Sequence, residues 1–302
     1  MSKEDLITID SAYSKNLCLD SPVPVMTLPY FLEKIYNNEV NPSISEMGEL
    51  FRDLLKRQER MTKKEKESAD IYEDNPEDRV RFEIRAIVQE TLKLLFGSKK
   101  KALPILCREA MLGKMDRLLM DPETVAEYIQ TYRQRDYSVF YREAVVRHKF
   151  GTDLAQKEVR PNFVLYPVAG LRVMMWQEID GAKRNSAGRL FLPIICNGKK
   201  EEAVLSLLAQ FRWELQKTVA GAKWIDAVEG GLVGAYYDYI QFYKKNPSLS
   251  SEAKARVNEF IKKTRSDRDR FTADYIMWLE SEYEGRVKLN AVTRDIFYRY
   301  VP

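Results

Sequence analysis

The stretch from Glu201 to Trp224 constrains the fold more than any other, because it reads as one long helix without a solvated face. Val204, Leu207, Leu208, Phe211, Leu215 and Val219 recur at three- and four-residue spacing and form an apolar stripe. Roughly opposite lie Ser206, Ala209, Trp213, Ala220 and Trp224, a face of small residues and indoles. A helix of about 24 residues extends roughly 36 Å, enough to cross a small domain. It must therefore be packed on both sides. Arg212, Glu214 and Lys217 ride on it and need partners wherever they are buried.

The remaining chain has the means to cover such a helix. Its 302 residues and 45% hydrophobic content allow a real core. Lys plus Arg (49) nearly cancels Asp plus Glu (45), leaving a net charge of +4. A phosphate-tracking surface is usually a concentrated basic excess, so the balance argues against nucleic acid. The three cysteines, Cys18, Cys107 and Cys196, stand far apart without a CxxC pair. They read as reduced thiols, neither a disulfide framework nor a zinc site. Met1 to Asp10 holds no apolar run of signal-peptide length, and no apolar stretch approaches the length of a membrane span. These features predict a soluble cytoplasmic protein.

His148 is the one histidine of the sequence. Catalysis by Ser/His/Asp or Cys/His, and any His-rich metal site, would have to rest on it. Its place before Gly151 reads as the last turn of a helix, where a cation meets the carbonyl end favourably.

Read in order, residues 1–25 form an extended arm containing Pro22 and Pro24. A short helix follows from Thr27 to Tyr36, and a second begins at Ser43 with the Ser43/Glu46 spacing of a capping box. From Lys56 to Asp74 acids and bases interleave as in a solvated linker, so residues 26–74 make a helix pair with a charged linker and 75–302 the main domain. Asn75–Pro76 and Asp121–Pro122 each carry the cap and first-turn signature of a helix. The second of these helices is expected to continue through Tyr128, Tyr132, Tyr137, Phe140, Tyr141 and Val145, with arginines interleaved. Further helices are predicted at Pro104–Leu119, around Tyr236–Tyr243, after Ser250, around Phe271–Leu279 and near the C-terminus. For the tyrosines 236, 239 and 243, core packing with paired hydroxyls is the default reading and a tyrosine-lined ligand cleft the alternative. Residues 163–195 are ambiguous. Leu171, Met174, Met175 and Ile179 fit a helical face, while Val173, Met175, Gln177 and Ile179 alternate as a strand that would make a hairpin with Leu190–Leu192. The helical neighbourhood favours the helix. The expected architecture is all-α, an irregular multi-helix domain around the central two-faced helix with at most one small β-hairpin.

Chemistry is concentrated in the turn Gly181–Arg189. Lys183, Arg184, Ser186 and Arg189 there can cradle an anion on backbone amides and cations, with Arg212 and Lys217 as a second wall. Glu178, Glu214, Asp226, Glu229 and Asp238 can hold an oxygen-ligated cation, but their spacing matches no ligand motif. No pattern names a cofactor. The leading expectation is a helical interaction or regulatory protein whose partner is another protein, more a binding protein than an enzyme. A phosphate- or nucleotide-binding protein is the first alternative and a nucleic-acid binder, through Arg133–Arg147 and Lys262–Arg270, the second.

Overall fold

The computed structural model describes residues 17–18, 21–40, 76–96, 118–149, 151–170, 174–177, 188–196, 198–264 and 266–301. The expected arm up to residue 16, the helix after Ser43, the charged run Lys56–Asp74, most of the segment Pro104–Leu119 and turn residues 181–187 lie outside them.

The all-α expectation is overturned: the fold is mixed α/β. Strands β1 (Leu17–Cys18), β2 (Val25–Thr27), β5 (Asn162–Gly170), β6 (Met174–Gln177) and β7 (Arg189–Cys196) form one sheet in the order β1-β2-β5-β7-β6. β2, β5 and β7 run parallel, and β1 and β6 flank them antiparallel. A second sheet, the ribbon β3 (Tyr141–His148) with β4 (Gly151–Glu158), stands apart from the first. Thus β6 adopts the strand and not the helix, paired with β7 from Met174↔Phe191 to Gln177↔Arg189.

The sheet escaped a reading by periodicity because both of its faces are covered. Parallel strands buried on two sides read as continuous apolar runs, which a short helix segment also produces. The alternation is nonetheless present in the packing. Val25, Phe163, Leu165, Leu190 and Leu192 enter one core cluster, while Met26, Val164, Tyr166 and Phe191 enter another. On the second side lie α1 (Leu28–Tyr36), through Phe31 and Ile35, and α2 (Pro76–Phe96), through Ile87. On the first side lie α3 (Pro122–Arg135) and α4 (Lys200–Ala220). Pro167 sits within β5 where the pairing to β7 shifts between Tyr166 and Ala169, as suits a residue that cannot donate to the ladder.

α3 starts as its Asp121–Pro122 signature predicts, with the Asp121 carboxylate accepting from the Thr124 N–H at 2.9 Å. It stops at Arg135, well short of the expected continuation. Asp136 turns its carboxylate onto the Ser138 N–H and hydroxyl, a local bond that competes with the next helical turn. The chain leaves this turn as strand β3, so Tyr141 and Val145 belong to a ribbon. His148 is accordingly not in a helix; it pairs with Gly151 at the ribbon's tip.

α4 is the central helix, two-faced from Ala203 to Leu215. One side meets the sheet. The other meets a helical layer of α5 (Gly231–Phe242), α6 (Ser251–Lys263), α7 (Asp267–Met277), the π turn Trp278–Glu282 and α8 (Ala291–Tyr300). Its last turns emerge, with Val219 exposed, and Gly221 ends it at φ 57°, a left-handed conformation that suits glycine. Trp213 joins the two layers, its ring 5.1 Å from Phe271 and 6.1 Å from Tyr236. Such tilted and edge-on pairs add to area burial.

The start of α5 is packed without room for a side chain. A Cβ on Gly234 would lie 1.9 Å from the carbonyl oxygen of Asp226, and one on Gly230 would lie 2.4 Å from the same atom. The obstacle is backbone, so it cannot rotate away. Gly234→Ala is expected to lower stability by about 1–3 kcal/mol in urea denaturation, as overpacking does. At Gly221, where a Cβ meets nothing within 4 Å, the cost of alanine comes from its positive φ alone and is smaller.

Candidate functional site

The sequence singled out cations, and the structure shows what holds them. Lys183, Arg184 and Ser186 lie outside the described residues. Arg189 opens β7 on the α1–α2 side of the sheet, where its Nε stands 3.0 Å from Oε1 of Glu83 with both side chains almost wholly buried. Its guanidinium also lies 5.4 Å from the Phe31 ring centre. Arg212 and Lys217 are on α4, across the sheet from Arg189. The Lys217 Nζ is 3.3 Å from a Glu214 oxygen and 4.9 Å from the Trp224 ring centre. The other Glu214 oxygen accepts from Arg268 at 3.0 Å. Glu229 pairs with Lys223, and Asp226 accepts from the Val228 and Glu229 amides, which hold its carboxyl below the usual range.

Arg212 is the hub of a buried network. Nη1 donates to the Ser138 carbonyl, and Nη2 to the Ser138 hydroxyl and the Tyr300 carbonyl, each at 2.8 Å. Nε faces Asp136 Oδ2 at 3.4 Å. Asp136 also accepts from the Tyr275 hydroxyl at 2.7 Å. Burial, and next the Asp136 charge, push the Tyr275 phenol well above its ordinary range, so it stays a donor. Sequence reasoning had demanded a partner for Arg212, but nothing in the spacing of residues 136, 138, 275 and 300 announced that they would meet around it.

This network anchors the ribbon. Phe140 is fully buried, Val159 nearly so, and Arg142 is buried with Nη1 donating to Thr218 at 3.2 Å. Beyond that root β4 is exposed from Gly151 to Lys157, and Leu154 is 72% exposed. Between the ribbon's root and α3 opens a groove of about 770 Å³ lined by Gln130, Arg133, Gln134, Tyr137, Tyr141 and Gln156. Arg133 reaches the Tyr141 hydroxyl at 3.5 Å. The sequence had marked Tyr137, Tyr141 and Arg133 as an aromatic–arginine series on a helix. The signal for a ribbon was the aromatic and β-branched content of Tyr141–Val146 followed by Gly151–Thr152.

Among the described residues no three or more metal-capable side chains gather at one place, and no helix is long and apolar enough to cross a membrane. A family model described as a domain of unknown function (DUF8509) matches residues 221–302, the stretch that holds α5 to α8. No curated protein and no solved structure matches the chain.

Removing the guanidinium from the hub leaves Asp136 as an uncompensated buried charge. Arg212→Ala is expected to cost about 3–5 kcal/mol in urea denaturation at neutral pH. Tyr275→Phe, which removes one donor from Asp136, is expected to cost about 1–3 kcal/mol. Lys263→Ala, which breaks an exposed ion pair to Glu259, is expected to leave the midpoint unchanged.

Proposed function

We propose that this chain works by contact with another protein, as an interaction or regulatory protein, and that the β3–β4 ribbon with the groove at its root is the contact surface. The exposure of β4 along its length carries this reading. A two-stranded ribbon is marginal by itself in water, yet this one is rooted on the best-packed part of the molecule. Among the described residues β4 pairs with β3 alone, and its other edge offers backbone donors and acceptors to an extended segment of a partner, which would add as a further strand. The groove beside it supplies aromatic and amide side chains suited to the partner's residues.

Charge supports a protein as the partner. Along the two strands Arg147 and Lys157 are offset by Glu143, Asp153 and Glu158, so the ribbon is not a basic track for phosphates. The anion-binding alternative draws no support from Arg189 and Arg212, whose guanidiniums already neutralise Glu83 and Asp136. A cytoplasmic setting fits the thiols: among the described residues Cys18 and Cys196 form no disulfide, and burial pushes the Cys196 thiol up, away from reactivity.

The test is a photo-crosslinking amino acid placed at Leu154, at Gln156 and, as a control, at Lys262 on α6. One discrete protein adduct shared by positions 154 and 156 and missing from 262 is the expected result. Adducts that are the same from all three positions, or none from the ribbon, would reject the contact surface.

A further inference from the structure

The C-terminal helical layer contains a second concavity, of about 550 Å³, unconnected with the ribbon. Its volume is that of a small-molecule pocket. Its whole lining, Tyr239 to Ala291, falls inside the segment matched by the family model. Ile240, Leu249, Val257, Phe260 and Leu289 make its walls apolar. Set in that wall is the carboxyl of Asp274, half-buried on α7. One of its oxygens accepts from the Tyr236 hydroxyl at 2.8 Å. Among the described residues Asp274 has no further hydrogen bond and no ion pair. A carboxylate with an oxygen left over, lining an apolar cavity, lacks the cation that would compensate its desolvation.

The other charged groups that face the cavity sit at its exposed mouth. They are Glu252 and Arg256 on α6 and Lys288 before α8. Tyr239 is committed elsewhere, its hydroxyl accepting from Asn290 at 2.9 Å. None of these three has an ion-pair partner among the described residues, so two cations against one carboxylate leave the mouth net positive and unfavourable to a ligand carrying a second positive charge.

We infer that this cavity is a binding site for a small monoamine with an apolar body, whose ammonium donates to Asp274 while the body fills the walls formed by α5, α6 and Leu289. Two facts suit that role beyond the shape. An ammonium supplies the missing charge-assisted hydrogen bond. The carboxyl also costs the fold stability at neutral pH: burial pushes Asp274 up to about 6, only partly opposed by the Tyr236 bond. Because the folded value lies above the unfolded one, the group favours folding most at low pH, and this contribution is lost as pH rises toward and through 6. A residue that destabilises the fold at neutral pH is the kind kept for a ligand.

The experiment is titration calorimetry of the full chain at pH 7.5 with phenethylamine, isoamylamine, spermidine and 3-phenylpropanoate. At least one of the two monoamines is expected to bind more tightly than spermidine, with 3-phenylpropanoate weakest. Asp274→Asn is expected to fold, with a midpoint no lower than the parent's at pH 7.5, and to weaken the monoamine at least about tenfold, the loss of one charged partner. Ala273→Phe, which keeps the carboxyl and fills the cavity, is expected to abolish binding. The inference is overturned if neither monoamine binds at up to about 10 mM, if 3-phenylpropanoate binds as tightly as the amines, or if Asp274→Asn or Ala273→Phe binds them like the parent.

Discussion

Arg212 is the point on which the structure depends. Its guanidinium ties the middle of α4 to the end of α3 through Asp136, to the root of the ribbon through Ser138, and to the C-terminal end of α8 through the Tyr300 carbonyl. Tyr275 on α7 completes the same cluster. A buried charge is tolerated only when paired and hydrogen-bonded, so these elements are held to one another by more than apolar contact. Apolar packing tolerates sliding, whereas hydrogen bonds converging on one guanidinium specify relative positions to within a fraction of an ångström.

Around that hub the molecule is layered. The sheet separates the α1–α2 layer from α3 and α4, and α4 in turn separates the sheet from α5 to α8. Each side of the sheet has a buried ion pair: Arg189 with Glu83 on one, Arg212 with Asp136 on the other. The candidate functional surfaces are placed by this layering. The ribbon leaves the core where α3 is stopped at Asp136, and the cavity beside Asp274 lies in the outermost helical layer, within the matched segment 221–302.

Both surfaces owe their character to what the core does not satisfy. The ribbon keeps β4 in solvent along most of its length, whereas β7 is buried at every position. Among the described residues Asp274 keeps an oxygen without a donor, while Asp136, buried at the end of α3, receives donors from Ser138 and Tyr275 and faces a guanidinium. Two carboxylates on neighbouring parts of one core thus have opposite roles: one is a structural anion, the other an acceptor open to a ligand.

Local signals carried the helices. The caps at Asp121, Ser250 and Asn290 form with side-chain acceptors, because a cap involves residues three apart in the chain and needs nothing distant. The two-faced burial of α4 was legible for the same reason, since its spacing repeats along one helix. So was the default reading of tyrosines 236, 239 and 243 as core residues with paired hydroxyls: all three are buried, Tyr236 bonded to Asp274 and Tyr239 to Asn290. The sheet was not legible: Phe163–Tyr166 and Leu190–Leu192 are apolar at every position, and only the layers above and below separate their alternate residues into two cores. Nor were the partners of Arg189 and Arg212. Their carboxylates lie far away in sequence, and the choice between an anion site and an internal ion pair is made by which distant side chain the fold places beside them. By itself the sequence determined where the helices from Pro76, Pro122, Lys200 and Ser251 lie and which charges need partners, because those are short-range properties; tertiary structure alone decided the sheet, the ribbon and the setting of Asp274, because each depends on what packs against it from elsewhere in the chain.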